Sequence, residues 1–245
     1  MQMNEQPIEK KVRGGTGEAL DVHSIFYTIQ GEGPFGGSPA VFVRLAGCNL
    51  QCPFCDTEYT EGRFNAGIGG ILGRIEHVAP PGWRGLIVIT GGEPFRQKIG
   101  PLLLALIKAG HFVQIETNGT LPPSQTPDNE VVYQTDIGRR RGAYIVCSPK
   151  SGKVNAKLAR EACCFKYVMD ADSVHSDGLP IEALGHTANP HIARPPEWWD
   201  RPIYLQPADH QDPVANARNI AAVVSSAMTH GYTIQLQIHK LLGME

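Results

Sequence analysis

Seven short runs rich in β-branched residues, Ala40–Ala46, Leu86–Thr90, Phe112–Glu116, Tyr144–Cys147, Cys164–Met169, Ile203–Leu205 and Thr233–Ile238, restrict this chain to few architectures. Short runs of this composition read as buried strands of a parallel sheet. Between several of them apolar residues recur at helical spacing, as in Ile99, Leu102, Leu103, Leu106 and Ile107, and again in Val214, Ala217, Ile220, Ala221, Val224, Ala227 and Met228. Parallel strands joined by helical crossovers close into a barrel or stay open, and in both cases ligands bind at the carboxyl ends of the strands. The polar motifs fall at those ends. Cys48 follows the first run, Gly91 the second, Thr117-Asn118 the third, Ser148-Pro149-Lys150 the fourth and Gln206-Pro207 the sixth.

The loop after the first run reads Gly47-Cys48-Asn49-Leu50-Gln51-Cys52-Pro53-Phe54-Cys55-Asp56-Thr57, a C-x3-C-x2-C pattern. Three thiolates on one short loop point to an iron–sulfur cluster, since a four-iron cluster with three protein ligands keeps one iron open for a substrate or cofactor. A structural zinc site is the competing reading, but it requires four closed ligands and no second C-x2-C pair follows. Cys147, Cys163 and Cys164 lie in apolar runs and read as small core residues.

The 245 residues, 42% of them hydrophobic, are enough for one sizeable core. Residues 21–245 are expected to form a single domain, and residues 1–20, polar and glycine-rich without periodicity, a disordered extension. A net charge of −2 leaves no electrostatic footprint for nucleic acid or an anionic membrane, and Arg139-Arg140-Arg141 reads as a solvated loop. No apolar segment approaches the roughly 20 residues that span a bilayer, and no signal-peptide core is visible. Six cysteines with three clustered do not form a disulfide framework, so a reducing, cytoplasmic setting is expected.

Together with Thr90-Gly91-Gly92-Glu93-Pro94 after the second run, the cysteine loop resembles the radical S-adenosylmethionine (SAM) superfamily. The resemblance implies an α/β fold of the partial (β/α)6 barrel type, with a [4Fe-4S] cluster on Cys48, Cys52 and Cys55. It further implies SAM chelated by the open iron and cleaved to a 5′-deoxyadenosyl radical. The hard chemistry is then the cofactor's, and no side chain is assigned as catalytic. Gly62–Pro81 is short, and its Gly-Ile-Gly-Gly-Ile-Leu-Gly composition is poor for a long helix, so the barrel is expected to be abbreviated around the cluster loop.

That compactness, with Ile25-Phe26-Tyr27-Thr28-Ile29-Gln30-Gly31-Glu32-Gly33-Pro34 upstream, is similar to the 7-carboxy-7-deazaguanine synthase family over about residues 22–245. The most specific parts are that turn, Arg44 in Phe42-Val43-Arg44-Leu45-Ala46-Gly47-Cys48, Cys55-Asp56-Thr57, Ser148-Pro149-Lys150 and Gln237-Ile238-His239-Lys240. The similarity implies a carbon–nitrogen lyase that converts 6-carboxy-5,6,7,8-tetrahydropterin to 7-carboxy-7-deazaguanine with loss of ammonia, a step towards queuosine and other 7-deazapurines. SAM would be used catalytically and Mg2+ would assist. A homodimer and an electron donor such as flavodoxin or ferredoxin are implied as well.

On this footing each candidate has a functional and a bland reading. Ile29, Gln30, Gly31 and Glu32 are expected to meet the pterin through an amide and closely approaching backbone, or else to form a glycine-rich hairpin turn with an exposed acid. Arg44, on an apolar strand, offers a planar fork to the substrate carboxylate, or pairs with a protein acid. Thr57 is a candidate single ligand to Mg2+, or an ST-turn. Phe54, Cys55 and Asp56, with Gly92, Glu93, Asn118, Ser148, Pro149, Lys150, Gln206 and Asp209, form the expected SAM site, although strand-end polar residues also cap helices. Thr90, His239, read as lying in the last strand, and the Glu245 carboxylate complete the expected substrate site. A different small radical SAM enzyme such as a glycyl-radical activase, whose loop is also C-x3-C-x2-C, is the nearer alternative. A non-catalytic iron–sulfur or zinc module is the farther one.

Overall fold

All of the apolar runs form strands of one sheet in the computed structural model, which describes residues 3–125, 133–185 and 191–244. The elements are β1 (Ala19–Ile29), β2 (Pro39–Leu45), β3 (Phe64–Gly67), α1 (Ile68–Val78), β4 (Leu86–Gly91), α2 (Gly100–Lys108), β5 (Phe112–Thr117), β6 (Ala143–Cys147), α3 (Ala156–Glu161), β7 (Ala162–Met169), β8 (Ile203–Pro207), α4 (Pro213–His230), β9 (Thr233–Ile234) and α5 (Ile238–Leu241). The strand order is β3-β1-β2-β4-β5-β6-β7-β8-β9. From β2 through β9 neighbours run parallel, and β1 and β3 extend one edge antiparallel. The fold is α/β with a mostly parallel sheet, and β3 and β9 remain separate edges, so the barrel is partial.

Side chains alternate across each strand, and this period-two pattern divides the molecule. Odd-numbered residues such as Val41, Val43, Ile87, Ile89, Val113, Ile115, Ile145 and Phe165 form the main core beneath the helices, where Leu102, Leu103 and Leu106 of α2 are fully buried. On the parallel strands even-numbered residues line the other face. Ala40, Val88, Tyr144, Val146 and Cys164 pack with Phe35 into a second apolar cluster, which plugs the amino end of that face. Past the plug, towards the carboxyl ends, the same face turns polar with Arg44, Thr90, Gln114, Glu116, Lys166 and Gln206.

Four expectations need correcting. The glycine-rich stretch after the cluster loop carries an eleven-residue helix, α1, because Ile71 and Ile75, one turn apart, are locked into the core and burial outweighs poor propensity. The final strand is only Thr233–Ile234, and Gln237 and His239 belong to a turn and to α5, drawn over the sheet by polar contacts described below. On α4 the predicted apolar stripe, Ala227 excepted, faces outward, with Val214 72% and Met228 82% exposed, while Asn219, Val223, Ser226 and Ala227 are buried. Asn219 is buried because its amide accepts from Ala171 N and donates to Ala208 O, tying two loops together. Residues 4–12, expected to be part of a disordered extension, are laid along the cluster loop, with Asn4 N bonded to Pro53 O, Glu9 N to Cys48 O and Val12 N to Arg96 O. Among the described residues no helix is long and apolar enough to cross a membrane.

Candidate active site

A cavity of about 810 Å3 opens at the carboxyl ends of the strands, and side chains from elements far apart in sequence line it. From the expected sets it collects Ile29, Gln30, Glu32, Arg44, Phe54, Cys55, Asp56, Thr57, Thr90, Lys150, Gln206, Asp209 and His239. Gly31, Cys48, Cys52, Gly92, Glu93, Asn118, Ser148 and Pro149 do not line it, and Glu245 lies outside the described residues.

Its deepest part is a charged network to which β5 and β7 bring Gln114, Glu116 and Lys166, the turn after β1 brings Gln30 and Glu32, and the segment before α5 brings Gln237. Lys166, on β7 between apolar neighbours, pairs with Glu32 and lies 3.6 Å from Glu116. Gln30 Nε2 and Gln114 Nε2 donate to Glu116 Oε1 at 3.0 and 2.9 Å, Glu32 N donates to Gln30 Oε1 at 3.1 Å, and Gln237 Nε2 donates to Glu32 Oε1 at 2.8 Å. Burial alone would raise the Glu32 pKa, but the Lys166 ammonium, with donors from Lys166 and Gln237, holds it down to about 2. Burial opposes charge on Lys166 as well, and Glu116 and Glu32 nevertheless hold its pKa above the usual lysine range. Glu32 is therefore a buried, paired carboxylate and not an exposed turn residue.

Above this floor the Phe26 and Phe42 rings stack with centroids 5.3 Å apart, and the Arg44 guanidinium carbon lies 4.8 Å over the Phe26 ring. Parallel register pairs Arg44 with Thr90. His239 of α5 closes against the turn after β1, where a Cβ on Gly31 would lie 1.7 Å from His239 Nδ1, so the need for glycine comes from packing at this point. Burial lowers the His239 pKa, with Lys240 adding to the effect. Lys240 Nζ bonds Asp209 Oδ2 at 2.8 Å and, with donors from Gln211 and Asn216, brings that carboxyl down to about 2.

The cysteine loop forms the opposite rim. Cys52 is buried and Cys48 and Cys55 half-buried, and burial pushes the Cys48 thiol up to about 12 and Cys52 up to about 11. The residues fit a cluster. All three thiols sit on one loop at the rim of the cavity, which is the donor chemistry that an iron–sulfur cluster takes. A cluster takes one cysteine on each of three irons. Between loop and floor, Lys150 Nζ donates to Ser148 Oγ at 2.5 Å, and its pKa is lowered by burial and by Lys166. Gln206 lines the cavity, and its buried side-chain oxygen has no partner among the described residues.

Two residues of the expected SAM site are also held by the fold itself. Both Glu93 oxygens are used internally, accepting from Thr117 Oγ1 at 2.7 Å, Asn118 N at 2.9 Å and Phe95 N at 3.0 Å, so the acid braces the loop after β5. A Cβ on Gly92 would fall 2.0 Å from Gly47 O, so glycine at this point lets the chain after β4 meet the cluster loop. Asn118 Nδ2 donates to Asn49 Oδ1, tying the loop after β5 to the same rim. Lys166, Glu116 and Gln114 were missed by the sequence reading, although a lone charge within an apolar run, the signal that singled out Arg44, also marks Lys166.

The radical SAM superfamily profile matches residues 43–131, the segment that contains the cysteine loop. A 7-carboxy-7-deazaguanine synthase from Rhodospirillum rubrum is 40% identical over 235 residues, covering 93% of this chain and 94% of its own length. One from Rickettsia prowazekii is 36% identical over 246 residues, covering 97% and 94%. The crystal structure of QueE from Escherichia coli superposes with a TM-score of 0.65 at 24% identity, covering 89% of this chain and 94% of that one, and so shares the fold.

Proposed function

This chain belongs to the 7-carboxy-7-deazaguanine synthase family of the radical SAM superfamily, and from that premise we propose that the cavity holds 6-carboxy-5,6,7,8-tetrahydropterin for conversion to 7-carboxy-7-deazaguanine. The protein is a radical SAM lyase that uses a [4Fe-4S] cluster and SAM. Residues 21–245 act as one domain, with Cys48, Cys52 and Cys55 as the cluster ligands. When bound, the cluster and SAM supply the one-electron chemistry that takes a hydrogen atom from C6 of the substrate.

What the chain supplies is placement. The observation that carries the reading is the convergence of Arg44 with the Lys166–Glu32–Glu116 network in one cavity beside the cysteine loop. The Arg44 fork is matched to a carboxylate, the Phe26 and Phe42 rings offer a flat heterocycle an apolar flank, and Gln30, Glu32 and Gln237 can read the hydrogen-bonding edge of a pterin. Lys150, Gln206 and the backbone near Phe54 and Asp56 face the rim where SAM would lie. His239 and α5 cover the opposite side and exclude water, and the Glu245 carboxylate is assigned to the same substrate.

Finer points join this proposal. Thr57 lines the cavity and is the side chain we assign to Mg2+. The exposed stripe Val214, Ala217, Ala221, Val224 and Met228 supports a homodimer, a reductant such as flavodoxin or ferredoxin delivers the electron, and the setting is cytoplasmic. Magnesium dependence of turnover and the solution mass are the corresponding checks.

Arg44→Ala tests the substrate reading. Losing a hydrogen-bonded charge partner costs about 2 kcal/mol, roughly a 30-fold weaker affinity for carboxytetrahydropterin by anaerobic equilibrium dialysis. Affinity for SAM should be retained. Unchanged affinity for the pterin would remove Arg44 from the site.

A further inference from the structure

The loop that carries the cysteines has no regular structure from Asn49 to Glu58, so its backbone groups find no partners in a helix or ladder. Three backbone groups of the loop and one at each of its ends are instead satisfied by residues 4–9. Asn4 N donates to Pro53 O at 2.8 Å, and Asn4 Nδ2 to Cys52 O at 3.1 Å. Gln6 spans the far end of the loop, its Nε2 donating to Thr57 O at 2.9 Å and its Oε1 accepting from Tyr59 N at 2.7 Å. Glu9 N donates to Cys48 O at 2.7 Å. The loop also reaches back, with Gln51 Nε2 donating to Gln6 O at 2.8 Å.

Glu9 adds a second hold on the loop entry. Its carboxylate lies 3.1 Å from the guanidinium of Arg96, a side chain only 5% exposed, which in turn donates to Ala46 O at 3.1 Å. A Cβ on Gly47 would lie 2.3 Å from Arg96 Nη2, so that guanidinium presses directly on the residue before Cys48.

We infer that residues 4–9 form a strap that positions the three cysteines for the cluster, with Asn4, Gln6 and Glu9 as positioning residues. None of them touches the cavity or a reacting atom. The strap fixes the carbonyls of Cys48 and Cys52 and the backbone on both sides of Glu58, so the thiols are pre-set before iron arrives and the loop resists opening afterwards. Its role rests on the assignment of the cluster to Cys48, Cys52 and Cys55.

The test uses the full-length protein after anaerobic cluster reconstitution, with an iron chelator added and loss of cluster absorbance followed over time. The melting temperatures of the iron-free proteins are measured in parallel. Gln6→Ala removes two loop hydrogen bonds of ordinary strength and should speed cluster release about tenfold. Gln6→Glu keeps the acceptor for Tyr59 N but not the donor to Thr57 O, and should fall between that variant and the parent. It carries the test with the same sign if Gln6→Ala does not fold. Replacing the exposed Glu5 by alanine should leave release unchanged. Iron-free melting temperatures should stay within about 4 °C of one another, as expected for a change of about 1 kcal/mol in a chain of this size. Release from Gln6→Ala at the parent rate, or faster release matched by a collapse of iron-free melting, would overturn the strap. A parent protein that takes up no cluster would overturn the cluster assignment itself.

Discussion

Alanine at Cys48, Cys52 or Cys55 is expected to remove the paramagnetic signal of the reduced cluster or leave a protein unable to cleave SAM. If each of these cysteines holds a different iron, as proposed, the loss of one cannot be made good by the other two, and the remaining cysteines lie on the core side of the sheet or in its apolar plug. Cys147, Cys163 and Cys164 are fully buried and should tolerate alanine with some loss of stability and no loss of cluster. Electron paramagnetic resonance of all six variants, with deoxyadenosine release as a second readout, separates the two groups. Full activity in any variant of the first group, or cluster loss in any of the second, would show the ligand set to be wrong.

Lys166→Met should be the most damaging change outside the loop. It leaves Glu32 and Glu116 buried without their ammonium, and breaking a buried pair by removing one partner costs about 3–5 kcal/mol, a large part of a domain's net stability. Adding Glu32→Gln should recover part of that loss, because the uncompensated charge goes with it. The pH dependence gives an independent sign. In the parent, the Glu32 pKa is lowered from 4.5 to about 2, so its contribution is present above 4.5 and lost only as pH falls towards 2. Lys166 is raised above 10.5, so its contribution is present below 10.5 and lost only as pH rises beyond its folded pKa. Both are constant near neutrality. Without Lys166, burial raises Glu32 above 4.5, and the variant should lose stability as pH rises from about 5 to about 8, where the parent does not. Denaturant unfolding across that range measures it. A variant as stable as the parent, with a flat profile, would mean the network contributes nothing to the fold.

Much of this was legible in the sequence, for reasons that differ by element. The parallel strands read clearly because both faces are buried, and the rim followed from them because parallel strands share one carboxyl end. β1 did not read, since a register irregularity between Val22 and Ser24 breaks its alternation. The segment Thr233 to Ile238 alternates like a strand, but the chain leaves the sheet after Ile234 because Gln237 bonds Glu32 across 205 residues and Lys240 bonds Asp209. Local pattern carries no trace of such partners. The face of α4 was inverted because a helical apolar stripe reports burial without saying whether the covering surface lies in the same chain. The strap was invisible because it binds backbone groups through Asn and Gln, leaving no hydrophobic period. Lys166 and Glu116 could have been found by applying to every strand the rule that singled out Arg44.

The central claim is that this cavity turns a carboxylated tetrahydropterin into a deazaguanine. The most direct measurement is mass spectrometry of an anaerobic incubation of the reconstituted protein with carboxytetrahydropterin, SAM, Mg2+ and a reductant. The account predicts a product with the mass and fragmentation of 7-carboxy-7-deazaguanine, formed with release of ammonia and in molar excess over SAM consumed. SAM cleavage that leaves the pterin unchanged would contradict it.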